Sequence, residues 1–138
     1  MTWLVIHLVA VALLTGVGWV VQLVVYPAFR LVGPDEWAAY HAAHRRAITL
    51  VVGLPWMVQA VSTVALLLDP PGGRLVAAVF LAALGVVTVA ATVAVAVPAH
   101  DRLTALHRDR DLTVLLRANL VRTLAWTGST ALTAVMLR

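Results

Sequence analysis

Residues 41–68 read HAAHRRAITLVVGLPWMVQAVSTVALLL, and residues 69–73 follow as DPPGG. No charged side chain interrupts Ala47 to Leu68. That run matches the roughly 20 helical residues needed to cross a hydrocarbon core. Pro70-Pro71 stops a helix and Gly72-Gly73 permits a tight reversal. The expectation is an apolar membrane helix that ends sharply at one side. At its other side, two imidazoles and two guanidiniums crowd its mouth.

The rest of the chain repeats this pattern. Apolar stretches around 3–29, 75–107 and 112–137 join a helix over 35–68, with its amphipathic start at Asp35. Hydrophobic residues make up 62% of the 138 positions and charged residues 12%, against about a quarter charged in a soluble domain. The expected fold is therefore all-α: a single transmembrane domain, 1–138, folded as an integral membrane four-helix up-down bundle. A membrane barrel would instead show shorter, alternating segments. The first stretch lacks a basic n-region and exceeds the roughly 7–15 residues of a cleavable signal's apolar core. The absence of cysteine rules out disulfides, Fe–S clusters and thiolate metal sites.

All ten cationic residues are arginine. Seven of them (Arg30, Arg45, Arg46, Arg102, Arg108, Arg110, Arg117) fall in the two long connections, whereas Arg74 and Arg138 lie at the opposite end. The positive-inside rule places the long connections in the cytoplasm and both termini outside. The Ala/Val/Arg-rich composition points to a bacterial cytoplasmic (inner) membrane. The net charge of +4 speaks to orientation and anionic headgroups. No nucleic-acid module is visible. The expected partners are the lipid bilayer and a lipophilic small molecule, with homo-oligomerisation open.

A faint internal repeat runs through the chain. Pro27-Ala28 recurs as Pro98-Ala99, Arg46-Ala47 as Arg117-Ala118, and Leu54-Pro55-Trp56 as Leu124-Ala125-Trp126. It suggests two pseudo-symmetric two-helix halves related by an axis along the membrane normal, with chance matches as the alternative.

Polar groups inside spans turn toward the bundle interior. Thr15, Trp19, Gln22 and Tyr26 form one stripe on the first helix; His44, Pro55, Gln59 and Ser62 share a face of the second. Thr88 and Thr92 are one turn apart on the third, and Asn119, Arg122, Trp126, Ser129 and Thr133 line the fourth. Interhelical hydrogen bonding is the plainer reading of the Thr, Ser and Gln residues. Trp19, Gln22, Tyr26, Gln59 and Trp126 are also the expected substrate-binding groups. Gly16 and Gly18 suit close helix packing, Trp3 and Trp37 suit interface anchors, and His7 suits a lone satisfied or interfacial histidine.

Arg122 lies roughly 6 Å into the last apolar run. It either snorkels outward or points inward beside Asn119 as a fixed donor array for a carboxylate, phosphate or carbonyl oxygen. His41 and His44, at i, i+3, can reach one ligand. With His100 they could form a three-nitrogen metal set for Fe, Cu or Zn, or act with no cofactor. His100 and His107 are two turns apart and could not chelate together. Asp101, Asp109 and Asp111 stand nearby as further ligands or supports. A merely solvated headgroup-level face is the competing reading.

The sequence YPAF closing the first helix, the histidine-bearing start of the second, VPAHDRL after the third and RANLVRTLAW opening the fourth resemble small four-helix bacterial membrane proteins. Their layout is similar to the anthrone-oxygenase-like membrane family, along nearly the whole chain. That resemblance implies an oxygenase or oxidoreductase acting on a lipophilic, aromatic substrate within the bundle. It points to His100, Asn119 and Arg122 as catalytic positions. The expected function is thus a membrane-embedded oxidoreductase with a His/Arg/Asn site near the cytoplasmic end. The alternatives are a small anion or amphiphile transporter or channel subunit, or an accessory membrane subunit.

Overall fold

The computed structural model describes residues 1–105 and 109–138. Four long helices account for nearly all of them: α1 (Thr2–Leu31), α2 (Pro34–Leu68), α3 (Leu75–Ala105) and α4 (Asp109–Met136). No strand occurs among the described residues. His107, expected near the end of the third helix, lies outside the described residues.

Local chemistry explains where the helices start and stop. Gly33 is the extended residue ahead of α2, Pro34 opens the helix, and Asp35 and Glu36 occupy its first turn. Pro fits a first-turn position that needs no N–H, and the carboxylates complement the positive end of the helix dipole. After Leu68 the DPPGG segment reverses the chain, with Gly72 at φ 60° and Gly73 at φ 71°. Both values lie in the left-handed region that glycine adopts without steric cost. Arg74 then donates to the Met136 carbonyl near the end of α4, closing that end of the fold.

Helices α1 and α3 share a distortion. In α1, residues Val21–Val25 widen into a π-helical turn just before Pro27; in α3, Ala91–Ala96 do the same before Pro98. Each carries an i→i−5 bond, from the Tyr26 N–H to the Val21 carbonyl and from the Val97 N–H to the Thr92 carbonyl. Proline offers no N–H to the carbonyl four residues back and its ring crowds that carbonyl; a widened turn relieves the conflict. The two Pro-Ala pairs of the sequence repeat therefore share one local geometry.

Helix α1 packs along α2 and α4, and α4 along α1 and α3. One apolar core, around Phe29, Trp37, Leu103, Leu112 and Leu115, fills the end with the long connections. A second, of Leu4, Leu66, Ala78, Leu81 and Met136, fills the DPPGG end. Between them lie buried polar side chains, including Gln59, Ser62, Thr88, Asn119, Thr123 and Ser129. The polar stripes do face inward and bond across helices. Thr15 meets Thr130 at 3.0 Å and Trp19 donates to Thr127 at 3.2 Å, while His7 meets Ser62 at 2.9 Å. His7 is fully buried, so it is not interfacial.

Three of the four helices, α1, α2 and α3, are long and apolar enough to cross a membrane; α4 is not on composition alone. The fourth thus differs from the other three spans drawn from the sequence. The reason is position. Helix α4 has Asn119, Thr123, Ser129 and Thr133 buried alongside its apolar residues, on the face packed against α1 and α3. A sheathed helix can carry polar groups that an exposed one cannot. Helices α2 and α3 show the opposite balance: 17% of each one's apolar window is buried, and Leu50, Leu54, Met57, Phe80, Val86 and Val93 are exposed.

Gly18 sets the closest approach between α1 and α4. A Cβ there would fall 2.6 Å from the Thr123 hydroxyl oxygen. Gly16, also expected to be a packing point, has nothing within 4 Å and plays no such role.

Candidate functional site

The site is built at the end where the long connections meet. Helix α1 brings Tyr26, α2 brings His41, His44 and Arg45 within little more than one turn, α3 brings His100 and Thr104, and α4 brings Asn119 and Arg122. Trp37, expected to anchor at an interface, is instead 4% exposed. Its indole N–H donates to the Leu103 carbonyl at 2.7 Å, and its ring stacks on His41 with centroids 4.8 Å apart. It holds α2 against α3 and fixes the plane of the His41 imidazole.

A chain of hydrogen bonds crosses three helices. The Tyr26 hydroxyl lies 3.2 Å from His100 Nε2, His100 Nδ1 lies 3.0 Å from His41 Nε2, and His41 Nδ1 lies 3.2 Å from the Thr104 hydroxyl. Thr104 fixes its polarity. Its single proton goes to the His100 carbonyl at 2.9 Å, while Arg45 donates to its oxygen at 3.3 Å. His41 Nδ1 must therefore be the donor to Thr104. With neutral rings, His41 Nε2 accepts from His100 Nδ1–H, and His100 Nε2 accepts from the tyrosine hydroxyl. The chain starts at buried Tyr26 and ends at exposed Thr104.

The second polar group of the site is the Asn119–Arg122 pair. The Asn119 amide donates to the Gly18 carbonyl at 3.1 Å and to Gln22 Oε1 at 2.9 Å, and its oxygen accepts from Arg122 at 3.0 Å. Arg122 also donates to the Thr92 hydroxyl at 3.2 Å and lies 5.7 Å from the centroid of the Trp126 ring. Its Nε is buried with no partner. Of the two orientations open to Arg122, this is the inward one.

Both groups face one cavity of about 290 Å³, between α2 and α3. Tyr26, His100, Arg45 and Arg122 supply its polar wall; Ile48 and Val52 are among its apolar lining. The volume is close to the lower end of small-molecule pockets, roughly 300–1,000 Å³.

Several expectations need correction. His41, His44 and His100 do come together, but no group of three or more His, Asp or Glu among the described residues is disposed to hold a metal ion. The reason is that the facing nitrogens of His41 and His100 are bonded to each other, and their outer nitrogens to Thr104 and Tyr26. His44 Nε2 is buried without a partner, and its ring packs edge-on against Phe29 at 4.9 Å. The three aspartates near the site are ion-paired: Asp101 with Arg45 at 3.0 Å, Asp109 with Arg30 at 3.3 Å, Asp111 with Arg102 at 2.7 Å.

Of the expected substrate-binding residues, Tyr26 lines the cavity. Trp19 and Gln22 direct their polar atoms to α4, and Trp126 donates to Gln59 Oε1 at 3.0 Å. Asn119 reaches the cavity through Arg122. Sequence reading missed Thr104 and Trp56 as site residues, and it placed Thr92 on an inward face and Arg45 at the mouth of the second helix without assigning either to the site. Thr104 was detectable, being one turn beyond His100 on the same face.

The chain matches no protein-family model, no curated protein and no solved structure.

Proposed function

We propose that this chain is an integral protein of a bacterial cytoplasmic membrane, an up-down four-helix bundle with its long connections inside and both termini outside. Three helices long and apolar enough to cross a membrane, together with the arginine asymmetry, support this reading. Within it, we propose a membrane-embedded oxidoreductase of the oxygenase type, acting on a lipophilic molecule with an acidic or enolisable oxygen. This reading agrees with the resemblance to the anthrone-oxygenase-like family.

The observation that carries the proposal is the polarised chain Tyr26–His100–His41–Thr104, leading from an apolar-walled cavity to an exposed hydroxyl. It offers a route for a proton out of the site. Tyr26 takes the substrate proton as its own passes to His100, and His100 hands on through His41. Arg122, oriented by Asn119 and Thr92, stabilises the oxyanion that remains. The resulting enolate is electron-rich, and dioxygen, which dissolves in lipid, is the oxidant. A CH2 flanked by aromatic rings becomes a carbonyl, one oxygen atom entering the product and the other leaving as water. No step requires a metal, and none is routed through one.

The test is oxygen consumption by nanodisc-embedded protein given a hydroxyanthrone. Turnover that falls to the uncatalysed rate in His100→Ala supports the reading; a wild-type rate no faster than empty nanodiscs contradicts it. The two arginines on the cavity also suit a carrier of amphiphilic anions, which would move such an anion across a vesicle membrane without consuming oxygen.

A further inference from the structure

Arg122 and Arg45 face the same cavity but are not equivalent. Arg45 is neutralised by Asp101 at 3.0 Å. Arg122 meets only uncharged groups among the described residues, namely Tyr26, Thr92, Asn119 and the Trp126 ring, and its Nε is buried and unpartnered. No aspartate or glutamate lines the cavity. One guanidinium charge therefore sits at a partly buried, low-dielectric site with no protein counter-charge, a costly arrangement unless something supplies the anion.

A second cavity, of about 330 Å³, lies between the same two helices and continues toward the DPPGG turn. Its walls are almost wholly apolar, with Ala60, Val64, Leu67, Gly85 and Val89 among them. Trp56 lines both cavities and donates to Thr88 at 3.2 Å, so its ring stands between them. The two cavities follow α2 from Arg45 to Leu67, about 33 Å of helix, close to the roughly 30 Å of a hydrocarbon core. The slot has a charged head end, to which α1 and α4 also contribute Tyr26 and Arg122, and an apolar tail end bounded by α2 and α3 alone.

We infer that the ligand of this site is an amphiphile that carries one anionic oxygen group on its reacting head and a single apolar tail, for which a fatty acid is the simplest probe. The group is held by Arg122, and the apolar body passes Trp56 into the second cavity. This rests on the reading that the first cavity is the functional site, and it narrows the substrate class. Trp56 becomes the specificity-determining residue, because the apolar body must lie along its ring. A carboxylate and a membrane lipid's phosphodiester offer the same anionic chemistry, and the test separates them.

The experiment places the protein in phosphatidylcholine nanodiscs and follows tryptophan quenching by palmitate brominated at mid-chain. The Trp56 signal is the difference between wild type and Trp56→Phe. Saturable quenching is expected with the acid and not with its methyl ester. Arg122→Gln should raise the half-saturating concentration at least about tenfold, the loss of one charge-assisted contact. Unbrominated palmitate should compete better than octanoate, and Ala60→Leu or Gly85→Leu should erase that advantage while octanoate still competes. Both positions accept the change: Ala60 is exposed, and a Cβ on Gly85 meets only Gln59 Nε2, at 3.8 Å.

Equal quenching by acid and ester, a chain-length advantage unchanged in both filled variants, or preferential quenching by brominated phosphatidylglycerol would each overturn the inference. The readout needs no turnover. Lost binding therefore contradicts the ligand class, whereas intact binding without oxygen consumption contradicts the proposed reaction.

Discussion

His41 Nε2 and His100 Nδ1 lie 3.0 Å apart, joining helices that meet here although the residues are 59 positions apart in the chain. The contact alone has no direction. Thr104 gives it one, because its hydroxyl donates to the His100 carbonyl and so can only accept from His41. With both imidazoles neutral, their tautomers and the donor role of Tyr26 follow from one threonine proton.

That polarity makes Tyr26 the group that meets the substrate proton. Tyr26→Phe removes the hydroxyl while keeping the ring, which packs against Phe29 at 5.3 Å. Loss of a positioned proton-transfer group typically costs about 10²–10⁴-fold in rate. The expected result is a kcat lowered by at least about 10²-fold with KM little changed, measured by oxygen consumption. A KM effect alone would give Tyr26 a binding role only.

Gly18 is a packing test independent of chemistry. Gly18→Ala would put a methyl 2.6 Å from the Thr123 hydroxyl oxygen and should destabilise the fold by about 1–3 kcal/mol through overpacking. The Thr123 hydroxyl has no partner, so Thr123→Ala costs less than the loss of a made hydrogen bond. The double variant Gly18→Ala/Thr123→Ala should recover most of the loss. Thermal unfolding in detergent, run as a double-mutant cycle, gives the coupling directly.

Orientation is testable because the chain has no cysteine. A single Asp69→Cys, in the turn after α2, should react with a membrane-impermeant maleimide added to intact cells. Asp35→Cys, at the start of α2, should react only after lysis. Both positions are exposed. The reverse pattern would invert the proposed topology.

Much of this molecule is readable from its residues, for identifiable reasons. The DPPGG reversal, the long helices and the inward stripes follow from rules that act within one helix: glycine φ, proline's missing N–H, and the spacing of polar groups. The meeting of His41, His44 and His100 belongs to the same class, since each residue's face is set by its own helix, whereas Arg122 stood open between inward and outward until Asn119 and Thr92 decided it. What was not readable depends on neighbours. Trp37 carries the signature of an interfacial anchor, and only the course of α3 supplies the Leu103 carbonyl that buries it. The reduced hydropathy of α4 makes sense once α1 and α3 cover the face that carries its polar residues. Of three histidines with ligand-like spacing, His41 and His100 became a hydrogen-bonded chain because Thr104 and Tyr26 took their outer nitrogens, and His44 stayed outside it.

The most direct test of the relay is the protonation pattern of its histidines. Long-range ¹⁵N–¹H spectra of ¹⁵N-histidine-labelled protein in nanodiscs report which ring nitrogen carries the proton. His41 and His100 should both be neutral with the proton on Nδ1, and Thr104→Val should release His41 from that state. A proton on Nε2 of either ring in the wild-type protein would break the polarity on which the proposed proton route depends.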